Sequence, residues 1–108
     1  MKVSLKKYTV DAIQFDNNFD EVIEWVRERY KDNFEISFAL YEDNSKHPYM
    51  KIQMFPIFKL KNEMLDLLCT KTYTIELYDY IINLEPNQLT LVNQICFKEL
   101  FNEVKYYV

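Results

Sequence analysis

Residues 34–55 read FEISFALYEDNSKHPYMKIQMF, and their hydrophobic pattern repeats every two residues. Apolar side chains stand at alternate positions in the first half, and the alternation returns between Met50 and Met54. Because the side chains of a β-strand point alternately to opposite faces, this pattern predicts two strands that each bury one face. The polar run Glu42–Pro48 between them predicts a hairpin with a long loop, and Pro56 predicts the end of regular pairing.

An amphipathic helix is predicted before this hairpin. Its apolar residues follow the spacing of one helix face: Phe19, Val22, Ile23, Val26 and Tyr30. Asn18 followed by Glu21 has the pattern of a capping box, and the helix is expected to end near Lys31. Trp25 lies on the flank of the apolar stripe, where Arg29, one turn later, is expected to reach the face of its ring.

Further strands and a second helix are predicted in the rest of the chain. Extended segments are indicated at Val3–Phe15, Thr72–Leu77, Tyr80–Ile82 and Leu89–Val92, a turn at Glu85–Asn87 and a short helix at Phe97–Val104. Residues 59–69 fit either a short helix or another strand, and residues 106–108 form a tail. We therefore expect an α+β fold, a single domain over residues 1–108. It would have a small antiparallel sheet of about five or six strands, an N-terminal amphipathic helix and a short C-terminal helix.

The composition excludes several classes of site. The chain has 108 residues, a formal net charge of -4, no glycine and one histidine. Without glycine it cannot form a phosphate-binding P-loop, a dinucleotide-binding fingerprint or the nucleophile elbow of hydrolases. Turns that need a positive φ must instead use asparagine or aspartate, and the candidate pairs are Asn17–Asn18, Asp32–Asn33, Asp43–Asn44, Lys61–Asn62 and Pro86–Asn87.

Metal, cofactor, membrane and nucleic-acid sites are not expected. Cys69 and Cys96 have apolar neighbours and are interpreted as reduced, buried thiols, and His47 is interpreted as a solvated loop residue. No CxxC spacing is present, so we expect no zinc site, no cofactor and no catalytic triad. No apolar run of about 18 residues and no signal-peptide pattern occur, which favours a cytoplasmic location. The lysines are scattered, whereas direct nucleic-acid binding needs a basic face.

Both ends of the chain carry motifs of one family. Lys7–Asp16 (KYTVDAIQFD), followed by Glu21–Val26 (EVIEWV), resembles the opening of small phage and prophage accessory proteins. Those proteins carry a C-terminal block of the form Pro-Gly-Asp-(Tyr/Trp)-Ile-Ile, whose second part is matched by Asp79–Ile82 (DYII). Leu77 and Tyr78 stand where the family has Pro-Gly. The resemblance covers about half of the chain. It implies a phage or prophage origin and a small accessory role, and it carries over no catalytic residue.

Two sets of residues are candidates for contact with a partner. The first set consists of helix carboxylates: Asp20, Glu21, Glu24 and Glu28. They either imitate the phosphate backbone of nucleic acid and compete for a basic groove, or form an ordinary solvated helix face that nearby arginines and Lys31 dilute. The second set is Tyr78, Asp79 and Tyr80. Its tyrosines are candidate interface anchors, and Asp79 alternatively caps a tight turn by accepting backbone N–H groups.

The leading hypothesis is a small phage-encoded protein, not an enzyme, that binds and inhibits a host protein. In its concrete form the target is a CRISPR nuclease or another defence effector in the host cytoplasm. The acidic helix would then compete for a basic groove and the tyrosines would anchor the contact. One alternative is a virion-associated or assembly protein that self-associates, for example as a homodimer, through its sheet edge. Another is an accessory protein that binds a small molecule, or acts on one, in a pocket between sheet and helix.

Overall fold

The computed structural model describes residues 1–5, 8–43, 46–57 and 70–103. Its strands are β1 (Lys2–Leu5), β2 (Tyr8–Gln14), β3 (Phe34–Asp43), β4 (Lys46–Pro56), β5 (Lys71–Glu76), β6 (Tyr80–Glu85), β7 (Gln88–Val92) and the two-residue β8 (Asn102–Glu103). Its helices are α1 (Phe19–Tyr30) and α2 (Gln94–Leu100). The ambiguous residues 59–69, with Cys69 among them, and the tail at 106–108 lie outside the described residues.

The strands form two antiparallel sheets instead of the single sheet that we predicted. One sheet has the order β7-β6-β2-β1-β8 and the other the order β3-β4-β5. The fold is therefore mostly β, and the α+β prediction is wrong. One reason is that Val3–Phe15 contains two strands, β1 and β2, which pair with each other. The other reason is that β6 pairs with β2 and not with β5, so the strands divide into two sets.

The five-stranded sheet is buried on both faces. Ile13 and Ile81 belong to the main core, whereas their neighbours Ala12 and Ile82 belong to a second cluster. Phe97 of α2 joins that second cluster, and its ring stacks on Tyr80 with centroids 3.6 Å apart and planes 1° apart. Strands that are buried on both faces carry continuous apolar runs, which explains why β6 begins with three consecutive apolar residues.

The three-stranded sheet is buried on one face only. Met50, Ile52, Met54 and Ile75 are fully buried on its inner face, where α1 packs with Val22 and Val26. The opposite face, here called the outer face, carries alternate residues of the three strands: Glu35, Ser37, Ala39, Tyr41, Tyr49, Lys51, Gln53, Phe55, Thr72, Thr74 and Glu76. The period of two in residues 34–55 is thus the pattern of a sheet with one dry face, as predicted.

Helix α1 begins and ends as predicted, but its first turn is built differently. The side chain of Asn18 does not cap the helix. Its Oδ1 accepts a hydrogen bond from the backbone N of Asp16 at 2.8 Å, and its Nδ2 donates to Gln14 O at 3.1 Å and to Glu21 Oε2 at 3.3 Å. The capping-box prediction is wrong because Asn18 stabilises the preceding turn, in which Asn17 has a φ of 75°. The predicted contact of Arg29 with the Trp25 ring is confirmed at 4.2 Å.

Three further predictions need correction. The hairpin loop is shorter than Glu42–Pro48, because β3 and β4 continue past the pair of Tyr41 with Tyr49 to a pair of Asp43 with Lys46. Helix α2 ends at Leu100, since the chain is extended at Phe101 before β8 pairs with β1. Cys96 is exposed on α2, so its interpretation as a buried thiol is wrong.

Replacement of Ile52 tests the one-sided burial of the three-stranded sheet. Ile52 lies on the central strand with no exposed surface, so Ile52→Ala is expected to lower the free energy of unfolding by about 2–5 kcal/mol. The adjacent Gln53 points to the outer face, and Gln53→Ala is expected to change it by less than about 0.5 kcal/mol. Urea denaturation of both variants measures this difference, and equal losses would contradict the assigned register.

Candidate partner-binding surface

A tight turn at Glu76–Asp79 carries the chain from one sheet to the other. The backbone N of Tyr78 donates to Phe15 O at 2.6 Å, and the N of Phe15 donates to Asp79 O at 2.9 Å. Gln14 Nε2 adds a third hydrogen bond, to Tyr78 O at 3.2 Å. These bonds hold the turn against the segment that leads into α1. The candidate residue Tyr78 therefore lies beside Phe15, at the start of the segment that leads into the acidic helix.

Tyr78 combines an unfavourable backbone conformation with an exposed ring. Its φ is 72° and its side chain is 49% exposed. The left-handed conformation costs an L-residue with a Cβ about 1–2 kcal/mol, and only asparagine and aspartate lessen that cost. Asn17 follows our expectation for such a position, whereas Tyr78 does not. The sequence offered one signal for a positive φ at this position: the phage-protein motif that it resembles has glycine where this chain has Tyr78.

Asp79 serves as the turn cap that we considered as its alternative role. Its Oδ2 accepts a hydrogen bond from the backbone N of Glu76 at 3.0 Å, and its own backbone N donates to Glu76 O at 3.0 Å. Burial raises the pKa of Asp79; the Glu76 N–H opposes this effect, and the Glu76 carboxylate adds to it. The carboxylate is thus engaged inside the turn.

Tyr80 does not belong to a contact surface. Its side chain is only 7% exposed, and its ring stacks on Phe97 within the second core cluster. As the first residue of β6, it points toward α2 and away from the side of the sheet that holds the main core. Among the candidate tyrosines, Tyr78 alone keeps an exposed ring.

The carboxylates of α1 are all exposed, and two of the nearby cations are directed elsewhere. Asp20, Glu21, Glu24 and Glu28 project to solvent. Arg29 forms an ion pair with Asp11 and donates to Trp25 O at 3.1 Å, and its Nη1 lies 3.6 Å from Glu28 Oε2. Arg27 lies over the Phe38 ring at 5.2 Å.

The first two turns of α1 are consequently more acidic than the sequence suggested. Within the described ranges, Asp20, Glu21 and Glu24 form no ion pair. Lys31 stands at the opposite end of the helix. A concentration of unpaired carboxylates at one end of an exposed helix suits contact with a basic surface.

Asp11 is the more buried of the two carboxylates that pair with Arg29. Its side chain is 15% exposed, and it lies near Arg29, Lys2 and the amino group of Met1. Burial raises the pKa of Asp11, but the hydrogen bond from Arg29 and the positive charges around it outweigh that effect. The net result is a lowered pKa. The ionised carboxylate is therefore a stable partner for Arg29.

A groove opens on the outer face next to the same turn. It has a volume of about 410 Å³ and is lined by His47, Pro48, Tyr49, Thr74, Glu76 and Leu77. His47 lies in β4 at this groove and not in the solvated loop that we predicted. Sequence reasoning missed the groove because it depends on the pairing of Tyr49 with Glu76, which the register of β4 and β5 creates.

Comparisons with protein-family models, with curated proteins and with solved structures find no match to this chain. The resemblance to phage accessory proteins therefore stays a prediction. Within residues 1–5, 8–43, 46–57 and 70–103, no helix has the length and apolar character required to span a membrane. The same residues contain no group of three or more His, Cys, Asp and Glu side chains arranged to hold a metal ion.

Acidification is expected to remove the contribution of Asp11 to stability. Its folded-state pKa lies below the ordinary value of 3.8, so the contribution is complete above that value and is lost as the pH falls through the folded-state pKa. Asp11→Asn should lower the free energy of unfolding by about 1–2 kcal/mol near pH 7, and by much less in acid. Urea denaturation of the variant and the unmodified protein, near pH 7 and again below the folded-state pKa of Asp11, measures this difference in the free energy of unfolding. Asp32→Asn, which removes an exposed carboxylate, is the matched control, and a parallel loss there would argue against the pair.

Variants of Tyr78 separate the cost of its backbone conformation from the contribution of its ring. Tyr78→Gly and Tyr78→Ala both remove the ring, but only glycine also removes the Cβ that makes a φ of 72° unfavourable. The glycine variant is therefore expected to be more stable than the alanine variant by about 1 kcal/mol, measured by thermal and urea denaturation. An alanine variant that equals or exceeds the glycine variant would exclude strain at this position.

Proposed function

We propose that this chain is a small binding protein that acts by covering a functional surface of a partner protein. Its contact surface, here called the acidic corner, comprises Asp20, Glu21 and Glu24 of α1 together with Tyr78. The observation that carries the proposal is the exposed ring of Tyr78, kept in an unfavourable conformation on a turn that is hydrogen-bonded to the segment leading into α1. Backbone strain of this kind concentrates at functional sites. The first two turns of α1 carry exposed carboxylates.

The physical properties of the acidic corner favour a basic partner. Tyrosine supplies a large contact area and a hydroxyl at a low entropy cost, as anchors of protein interfaces do. The surrounding carboxylates would steer a positively charged surface toward it and increase the association rate. The arginines of α1, Arg27 and Arg29, lie in its last turn, at the end opposite to the acidic corner.

The narrower form of the proposal is an inhibitor of a host defence protein, such as a CRISPR nuclease, acting in the host cytoplasm. Nucleases bind nucleic acid through basic grooves, and a small acidic protein can occupy such a groove in place of phosphates. The motifs at both ends of the chain that resemble phage proteins support this form, and so does the negative net charge. No covalent chemistry is part of the mechanism.

Self-association is a second candidate, which one observation favours. Strand β3 is ten residues long and lies at the edge of its sheet. A long edge strand offers unpaired backbone groups to a second copy. Light scattering of the purified protein separates the candidates: a stable dimer favours self-association, and a monomer favours the inhibitor.

Charge reversal on α1 tests the acidic corner. The triple variant Asp20→Lys, Glu21→Lys, Glu24→Lys is expected to bind its partner at least about tenfold more weakly, because three attractive contacts become repulsive. The measurement is inhibition of DNA cleavage by a panel of purified CRISPR nucleases, together with the affinity for whichever nuclease is inhibited. Tyr78→Ala should reduce the same affinity.

A matched control variant has the same change in net charge as the α1 triple variant, but its substitutions lie outside α1. Asp32→Lys, Glu42→Lys, Glu99→Lys reverses three exposed carboxylates outside α1 and should leave inhibition within about twofold of the unmodified protein. Equal weakening by both triple variants would show a general charge effect and exclude the acidic corner. A lack of inhibition across the panel would refute the narrower form.

A further inference from the structure

In the part of the chain that the structure describes, the Tyr49 ring is stacked against another ring on one face only. On its other side, the neighbouring strand contributes Glu76, which is not aromatic. The register places Tyr41, Tyr49 and Glu76 in one row across β3, β4 and β5. The rings of Tyr41 and Tyr49 are stacked, with centroids 4.7 Å apart and planes 6° apart. Because Tyr41 covers one face of Tyr49 from the β3 side, the other face is directed toward β5. That face forms one wall of the groove.

A second wall of the groove carries a carboxylate, because Glu76 is the direct cross-strand neighbour of Tyr49. Glu76 is exposed and forms no ion pair among the residues that the structure describes. Lys51, a cation on the same outer face, lies instead over the Tyr41 ring at 5.6 Å. Thr74 adds a hydroxyl to this wall, and its exposed side chain precedes Glu76 on the same face of β5.

An aromatic face next to a carboxylate suits a planar cation. A guanidinium group stacks on aromatic faces and at the same time donates two parallel N–H groups to a carboxylate, whereas a lysine ammonium is a compact point charge without a flat face. The volume of about 410 Å³ lies within the range of pockets that hold small ligands. The groove is therefore wide enough for an arginine side chain and part of its neighbouring residues.

We propose that this groove binds an arginine side chain of the partner protein, with the guanidinium stacked on the Tyr49 ring and its N–H edge directed at the Glu76 carboxylate. The proposal rests on the proposed function in taking a protein as the source of the arginine. Leu77, which lines the groove, directly precedes Tyr78, so the arginine-bearing segment would continue onto the acidic corner. The groove then supplies specificity for arginine within a basic partner surface.

Nuclear magnetic resonance titration of the full chain with short peptides tests the groove independently of any inhibited enzyme. The probe is acetyl-Gly-Arg-Gly-amide, compared with the same peptide carrying lysine or the neutral isostere citrulline. Arginine is expected to shift the amide signals of Tyr49, Thr74, Glu76 and Leu77. It should bind roughly two- to fivefold more tightly than citrulline, the range expected for one exposed ion pair. It should also bind more tightly than lysine, because an ammonium has no flat face to stack on the ring. Glu76→Gln should remove the preference over citrulline, whereas Glu35→Gln, on the same face, should keep it.

Several results would overturn the assignment. No response to the arginine peptide at millimolar concentrations refutes the groove, and an equal response to citrulline refutes recognition of charge. An equal response to lysine refutes the planar cation. Tighter binding of free agmatine than of the peptide would assign the groove to a small molecule and not to a protein. Because no nuclease takes part, failure of the inhibition experiment leaves the outcome of this one unchanged.

Discussion

The two backbone hydrogen bonds between Phe15 and the turn at Tyr78 and Asp79 join the three-stranded sheet to the five-stranded sheet. They continue the pairing of β2 with β6, so the chain leaves β5 at this turn and enters the other sheet. If β6 paired with β5 instead, the strands would form one large sheet, and α1 would lack the second layer that encloses its apolar face. The turn thereby sets the architecture. Among the described residues, Tyr78 in this turn is the one residue other than asparagine with a positive φ, where a Cβ has a cost.

The sequence predicts the elements better than it predicts their arrangement. The spacing of apolar residues located α1 to within a residue of its end, and the alternation in residues 34–55 assigned both the strands and the buried face. The division into two sheets was not predictable, because it depends on whether β6 pairs with β2 or with β5. Its sequence YIINLE begins with three buried residues and shows no alternation, so the pattern does not say that its two faces belong to different cores. The short strands β1 and β8 add contacts that local propensity does not encode.

The sequence likewise predicted some residues of the candidate site and missed others. Helical spacing placed the carboxylates of α1 on solvent, and the turn chemistry of aspartate anticipated the role of Asp79. The burial of Tyr80 was not predictable, because a tyrosine next to an exposed turn looks like a surface residue until α2 covers it. The groove at Tyr49 was also hidden, since its walls come from two strands that are separated in sequence and meet only through their register. Long-range pairing, more than local chemistry, limits what the sequence reveals here.

The stability cost at Tyr78 and the exposed carboxylates of α1 are the two features on which the proposed function depends. A small domain has a total stability of about 5–15 kcal/mol, so a cost of about 1–2 kcal/mol at one residue is a large fraction of it. Asparagine at position 78 would lower that cost, as Asn17 does at the only other described non-glycine residue with a positive φ. In the proposed function the ring of Tyr78 contacts the partner, which gives a reason for a tyrosine at this position. The ion pair of Arg29 with Asp11 joins the last turn of α1 to β2, at the end of the helix away from the acidic corner. A cationic partner surface would then meet the carboxylates of the first two turns, and the tyrosine ring would add contact area.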